Sequence, residues 1–159
     1  MYSAGAAMMG VRRRFFMLAL AAGLSACGEP PAPEPVLLDL GGETVQLPPG
    51  TRVHDVSVTA APGASEYVPR RVQLRVGDVI RFTSRDAGPH ALRFDPPLDP
   101  PAATFLEQTG QTRALPLVGS GAAWVIAFAD APPGPYTVRC LTHDETLDIA
   151  VTAAAGPER

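Results

Sequence analysis

The side chains best able to do chemistry in this 159-residue chain are few: three histidines (His54, His90, His143) and two cysteines (Cys27, Cys140). Cys140 and His143 stand three positions apart, and His90 lies fifty positions before Cys140. His90 has the parity of Leu92 and Phe94, so it begins a strand on the inward face. Cys140 has the parity of Tyr136 and Val138, so it ends another strand, also facing inward. His143 falls in the turn before Leu147. A thiolate and two imidazoles meeting at one end of a β-sandwich form a trigonal His2Cys site, the donor set that suits type 1 copper. A Cys140–His143 thiol nucleophile would need an orienting acid and oxyanion donors, and no motif supplies them. A copper oxidase would need more histidines for a second metal centre, and only His54 is left. His54 lies among Val53, Asp55 and Val56 with no partner pattern and reads as a strand-surface residue.

The positions of the sulfur residues sharpen this reading. All four methionines and Cys27 fall within the first 27 residues. There Arg12-Arg13-Arg14 precede a short apolar run, Phe15 to Gly23, which is too short to span a bilayer. Leu24-Ser25-Ala26-Cys27 then looks like a bacterial lipobox, with Cys27 as the lipidated residue. The arginine run with Phe15-Phe16 also resembles a twin-arginine export signal. Glycine at position 28, where aspartate would signal inner-membrane retention, favours the outer membrane. The expected organisation is a signal peptide over 1–26 and a lipidated cysteine, Pro-rich tether and leading segment over 27–50. A domain over 51–153 and a tail over 154–159 follow. Removing the signal takes away three arginines and no acid, so the net charge moves from −3 to −6. Cys140 is then the only thiol, which excludes an intrachain disulfide. The absence of a basic surface argues against nucleic-acid binding.

The elements that must position these donors are strands. Period-two alternation runs through Val56 and Val58; Val72, Leu74 and Val76; Ile80 and Phe82; and Leu92 and Phe94. It continues through Trp124, Ile126 and Phe128; Tyr136 and Val138; and Leu147, Ile149 and Val151. Gly/Pro turns separate them, Gly77-Asp78 among them. One modest helix is predicted over 102–111. Trp124 and the phenylalanines at strand positions are read as core. Several short strands of this kind predict an all-β antiparallel sandwich or barrel.

The run Ala87-Gly88-Pro89-His90-Ala91-Leu92-Arg93-Phe94-Asp95 resembles the first copper-ligand loop of plastocyanin-like cupredoxins. Pro133-Gly134-Pro135-Tyr136-Thr137-Val138-Arg139-Cys140-Leu141-Thr142-His143 is similar to their P-G-x-Y-x-x-x-C-x-x-H motif. Tyr67-Val68-Pro69 with Val72, Leu74, Val76-Gly77-Asp78 and Phe82 resembles their entry strands. The resemblance spans roughly 51–153. It implies an all-β, cupredoxin-like Greek-key β-sandwich of about eight strands, binding one copper ion through His90 Nδ1, Cys140 Sγ and His143 Nδ1. It also implies outer-sphere electron transfer rather than enzymatic turnover.

Two departures matter. The family usually places a weak axial methionine soon after the second histidine, and here Asp144-Glu145-Thr146-Leu147-Asp148 follows His143. Either a non-ligand such as Leu147 leaves the metal three-coordinate, or Glu145 supplies an axial oxygen that favours copper(II). Ala91 replaces the asparagine common after the first histidine, removing a hydrogen bond between the ligand loops. The expected protein is therefore an exported, lipid-anchored monomer on the periplasmic face. It would carry single electrons between redox partner proteins that its negative charge helps it meet. A copper carrier and a metal-free cupredoxin-like binding domain are the alternatives.

Overall fold

In a computed structural model the described residues are 34–40, 43–60, 66–96 and 98–154. The signal peptide, Cys27, most of the Pro-rich tether and the last five residues of the tail lie outside them. Strands are β1 (Val36–Asp39), β2 (Thr44–Leu47), β3 (Val53–Val58), β4 (Tyr67–Val68), β5 (Arg71–Arg75) and β6 (Val79–Ser84). They continue as β7 (Pro89–His90), β8 (Leu92–Phe94), β9 (Leu117–Val118), β10 (Ala123–Ala127), β11 (Gly134–Cys140) and β12 (Thr146–Thr152). A single helix, α1, covers Pro100–Gln108.

Two four-stranded sheets carry the domain, in the orders β10-β6-β3-β4 and β5-β12-β11-β8. β3 with β6 and β12 with β5 pair in parallel, and the other pairs within these two sheets are antiparallel. The alternating residues point into one shared core: Val56, Val58, Val72, Leu74, Ile80, Phe82, Leu92, Phe94, Ile126, Tyr136, Val138, Leu147, Ile149 and Val151 are all buried. A sandwich of two sheets follows from this patterning, because each sheet hides its apolar face only against the other.

The predicted helix forms about two residues earlier than its sequence window. Pro100 and Pro101 occupy its first turn, where a missing N–H costs nothing. Ala102, Phe105 and Leu106 bury one face at helical spacing. Trp124 is only partly buried and stacks on Phe82 with ring centroids 5.5 Å apart. The leading segment contains a hairpin, β1 with β2, in which Leu38 is buried. Arg81 ties this hairpin to the sandwich by donating to Asp39 O and to Asp55.

His54 is not the partnerless surface residue expected from sequence. Parallel pairing sets it beside Ile80, and its Nε2 lies 3.0 Å from Asp78 Oδ2. Asp78 follows Gly77, whose φ of +99° suits glycine in the turn between β5 and β6. Asp78 is buried and also accepts the Arg75 and Arg52 amides. Burial alone would raise its carboxyl pKa, but the Arg75 amide, His54 and the Arg52 amide outweigh that and hold it below the usual range.

A carboxyl depressed in the native state stabilises the fold at pH above about 4, and that contribution fades as pH falls through the native pKa. Asp78→Ala should therefore lower the unfolding free energy by about 2 kcal/mol at pH 7, since it strands buried amides. The deficit should shrink below about pH 4 in urea titrations of both proteins. An equal deficit at pH 3 and pH 7 would contradict this account.

Candidate metal centre

Strand pairing brings the first two donors together. β8 runs antiparallel to β11 with Leu92 opposite Cys140, and His90 lies two residues before Leu92 on β7. β7 is itself held by β9, with His90 opposite Leu117. Beyond the ladder, the Leu141 N–H donates to Ala91 O at 2.8 Å and the Ala91 N–H donates to Thr142 Oγ1 at 3.3 Å. Alanine at 91 therefore does not leave the two ligand segments unconnected. Backbone groups and the Thr142 hydroxyl make the bridge.

The third donor sits on a tight return between β11 and β12. The Asp144 N–H donates to Cys140 O and the Cys140 N–H to Glu145 O, both at 2.9 Å. Asp144 takes a φ of 61°, a left-handed conformation that aspartate tolerates better than most residues. Arg139, the residue before Cys140, forks across this loop. One guanidinium nitrogen reaches Asp144 Oδ1 at 2.6 Å and the other reaches Asp95 Oδ2 at 2.7 Å. The clamp joins the loop bearing His143 to the end of β8.

Four donor atoms converge within 4.8 Å of one another, from Glu66, His90, Cys140 and His143. Glu66 Oε1 lies 2.9 Å from His90 Nδ1 and 3.1 Å from His143 Nδ1. Cys140 Sγ is 3.5 Å from His143 Nδ1. His90 and Cys140 are fully buried and Glu66 is 3% exposed, while the His143 side chain is 31% exposed. Glu66 Oε2 is buried with no hydrogen-bond partner among the described residues. An acceptor left so costs free energy unless something else satisfies it. Burial pushes the Cys140 thiol pKa up, as does Glu66, while the amides of Thr142 and His143 pull it down. One sulfur, two imidazole nitrogens and a carboxylate oxygen, with an unsatisfied acceptor among them, have the chemistry of a transition-metal site.

Glu145 lies outside this group. Its carboxylate is 44% exposed, with Oε2 4.0 Å from Arg70 Nη2. Leu147 is core, opposite Val138. The group contains Glu66 instead, a residue the sequence reading did not single out. It precedes β4, which pairs back on β3, and its carbonyl accepts the Thr59 N–H. The one signal in the sequence was an acid directly before the apolar Tyr67-Val68 pair. Its inward direction depends on which strand β4 pairs with.

No protein-family model matches the chain. Over 91 residues it is 29% identical to a plastocyanin of Nostoc punctiforme. That stretch covers 57% of this chain and 65% of that plastocyanin, a little under two thirds of its length. Among solved structures it is similar to a mutant fern plastocyanin, with TM-score 0.51 and 19% identity over 62% of this chain and 99% of that one. The oxidised plastocyanin of Dryopteris crassirhizoma gives TM-score 0.51 and 18% identity with the same coverage. The chain has a cupredoxin-like fold. Among the described residues no helix is long and apolar enough to cross a membrane.

The raised, buried thiol is the opposite of the exposed, low-pKa thiol that a nucleophilic cysteine requires. Without metal, Cys140 should react with iodoacetamide at pH 8 more slowly than glutathione does. Mass spectrometry over time measures this, and a rate equal to or above that of glutathione would contradict the assignment.

Proposed function

We propose that this protein is a single-electron carrier that holds one copper ion through His90 Nδ1, Cys140 Sγ and His143 Nδ1, with Glu66 supplying a fourth, oxygen donor. The observation that carries the reading is the convergence of these four side chains within 4.8 Å in a cupredoxin-like fold. The plastocyanin relative supports copper as the metal. Copper held there would supply a one-electron couple.

The chain's own residues supply the rest. Cys140 and His90 are anchored by paired strands, and His143 by the Arg139 clamp, so the donors have little room to rearrange when the charge changes. Burial of Cys140, His90 and Glu66 excludes water, and His143 offers an exposed imidazole edge for exchange with a partner. Glu66 would add an oxygen donor to a set to which no residue after position 27 can add a methionine sulfur. A carboxylate is a harder donor than a thioether and favours the oxidised ion, which sets a lower potential and a different colour.

The lipobox and arginine run support export, lipid anchoring through Cys27 and an outer-membrane location facing the periplasm. Partners would be redox proteins reached from that surface.

The whole chain should bind one equivalent of copper(II) and show an intense thiolate-to-copper band that Cys140→Ser abolishes. Glu66→Gln should shift that band and raise the midpoint potential, whereas Glu145→Gln should leave both unchanged. Failure to bind copper stoichiometrically would overturn the proposal. Rapid metal loss to a chelator with slow electron self-exchange would identify a copper carrier instead.

A further inference from the structure

A carboxylate that belongs to no donor group stands directly behind the most buried histidine. Nε2 of His90, the ring nitrogen that does not face Glu66, lies 3.0 Å from Asp86 Oδ1. His90 is fully buried, and the Asp86 side chain is 28% exposed, so Asp86 connects this ring to the surface. The same carboxylate is held from several directions. The Gly88 N–H donates to Oδ1 at 2.9 Å, the Ala60 N–H donates to Oδ2, and the Thr59 side chain also bonds to it. The Ser84 hydroxyl donates to the Asp86 carbonyl at 3.1 Å, fixing the backbone behind it.

The space around this carboxylate is shaped for it. A Cβ on Gly88 would lie 3.2 Å from Asp86 Oδ1, tighter than ordinary contact, although glycine is not needed there for backbone conformation.

We propose that Asp86 is the positioning residue of the metal centre, fixing His90 with its proton on Nε2 so that Nδ1 faces the metal, and strengthening that nitrogen as a donor. The proposal rests on the copper reading above. An imidazole can present either nitrogen, and a carboxylate that accepts from one selects the other as the ligand atom. Negative charge behind the ring makes it more electron-rich, which favours the oxidised ion and lowers the potential.

Asp86 is also linked, through Thr59, to the backbone of Glu66. Its partners Ala60 and Thr59 continue from β3, and the Thr59 N–H bonds to Glu66 O. One side chain therefore fastens both the segment that carries His90 and the strand beside Glu66. Metal-binding histidines commonly have such a partner, and losing it typically costs about 10–100-fold in metal affinity.

The test uses the whole chain with Asp86→Ala, Asp86→Asn and Gly88→Ala. Asp148→Asn, which alters an exposed pair with Arg71 and none of these contacts, serves as a charge control. Copper affinity is measured by chelator competition, the midpoint potential by voltammetry, and the His90 Nε2–H by proton NMR of the copper(I) form. Asp86→Ala should lose about 10–100-fold in affinity and the slowly exchanging Nε2–H signal. Asp86→Asn keeps an acceptor without the charge, so it should retain most affinity and the NMR signal while its potential rises. Gly88→Ala should weaken binding by crowding the carboxylate. Asp148→Asn should match the wild type in all three readouts.

Should Asp86→Ala fail to fold, Asp86→Asn and Gly88→Ala still decide the matter. Wild-type potential in folded Asp86→Asn, or an equal rise in Asp148→Asn, would overturn the role of Asp86 and leave the copper centre standing. A wild-type chain that binds no copper would overturn the copper reading and this proposal with it.

Discussion

A carboxylate buried beside two imidazoles and a thiol constrains everything around it. Moving an ionisable acid away from water is costly unless its oxygens find partners. Glu66 meets that requirement through Oε1 alone, which lies near the Nδ1 atoms of both His90 and His143. Oε2 has no partner among the described residues, and it stands in a group of four side chains able to hold a metal ion. The strand pairs, the bridge from Ala91 to the Leu141–Thr142 segment and the Arg139 fork all serve to keep that group assembled.

The surrounding protein divides this task between sheet and loop. His90 and Cys140 belong to strands whose register is fixed by the buried faces of the sandwich. Slipping either by one residue would turn its donor outward. His143 has no ladder of its own and depends on the short return after Cys140. There the ion pairs of Arg139 matter more for geometry than for stability, since exposed pairs contribute little free energy. The two arrangements give the centre a rigid inner side and one accessible imidazole.

Much of this was legible in the residues themselves. Period-two alternation located β3, β5, β6, β8, β10, β11 and β12, because a half-buried strand must alternate. The same parity placed His90 and Cys140 inward. What failed was reasoning from nearness along the chain. Glu145 is two residues from His143, but the tight return gives its carbonyl to the Cys140 amide while its carboxylate faces Arg70. Glu66 is 77 residues from His143 and is brought in by the pairing of β4 on β3, which no local pattern encodes. His54 finds Asp78 for the same reason, through the parallel register of β3 and β6. The β1–β2 hairpin was missed because its strands are only four residues long and Val36-Leu37-Leu38 in β1 runs apolar without alternating, although Thr44–Leu47 in β2 does alternate.

The spread of the donors along the chain also sets an order of events. Cys140 and His143 are the only two close enough to meet in an unfolded chain, and such a pair holds a metal weakly. Glu66 and His90 arrive only after sheets built from distant segments have closed, the slowest kind of contact to form. All four donors therefore come together only in the folded domain, which is the site a copper ion would meet. Once seated, that ion would staple segments separated by 24 and 77 residues, so that the domain's resistance to unfolding would come to depend on its cargo.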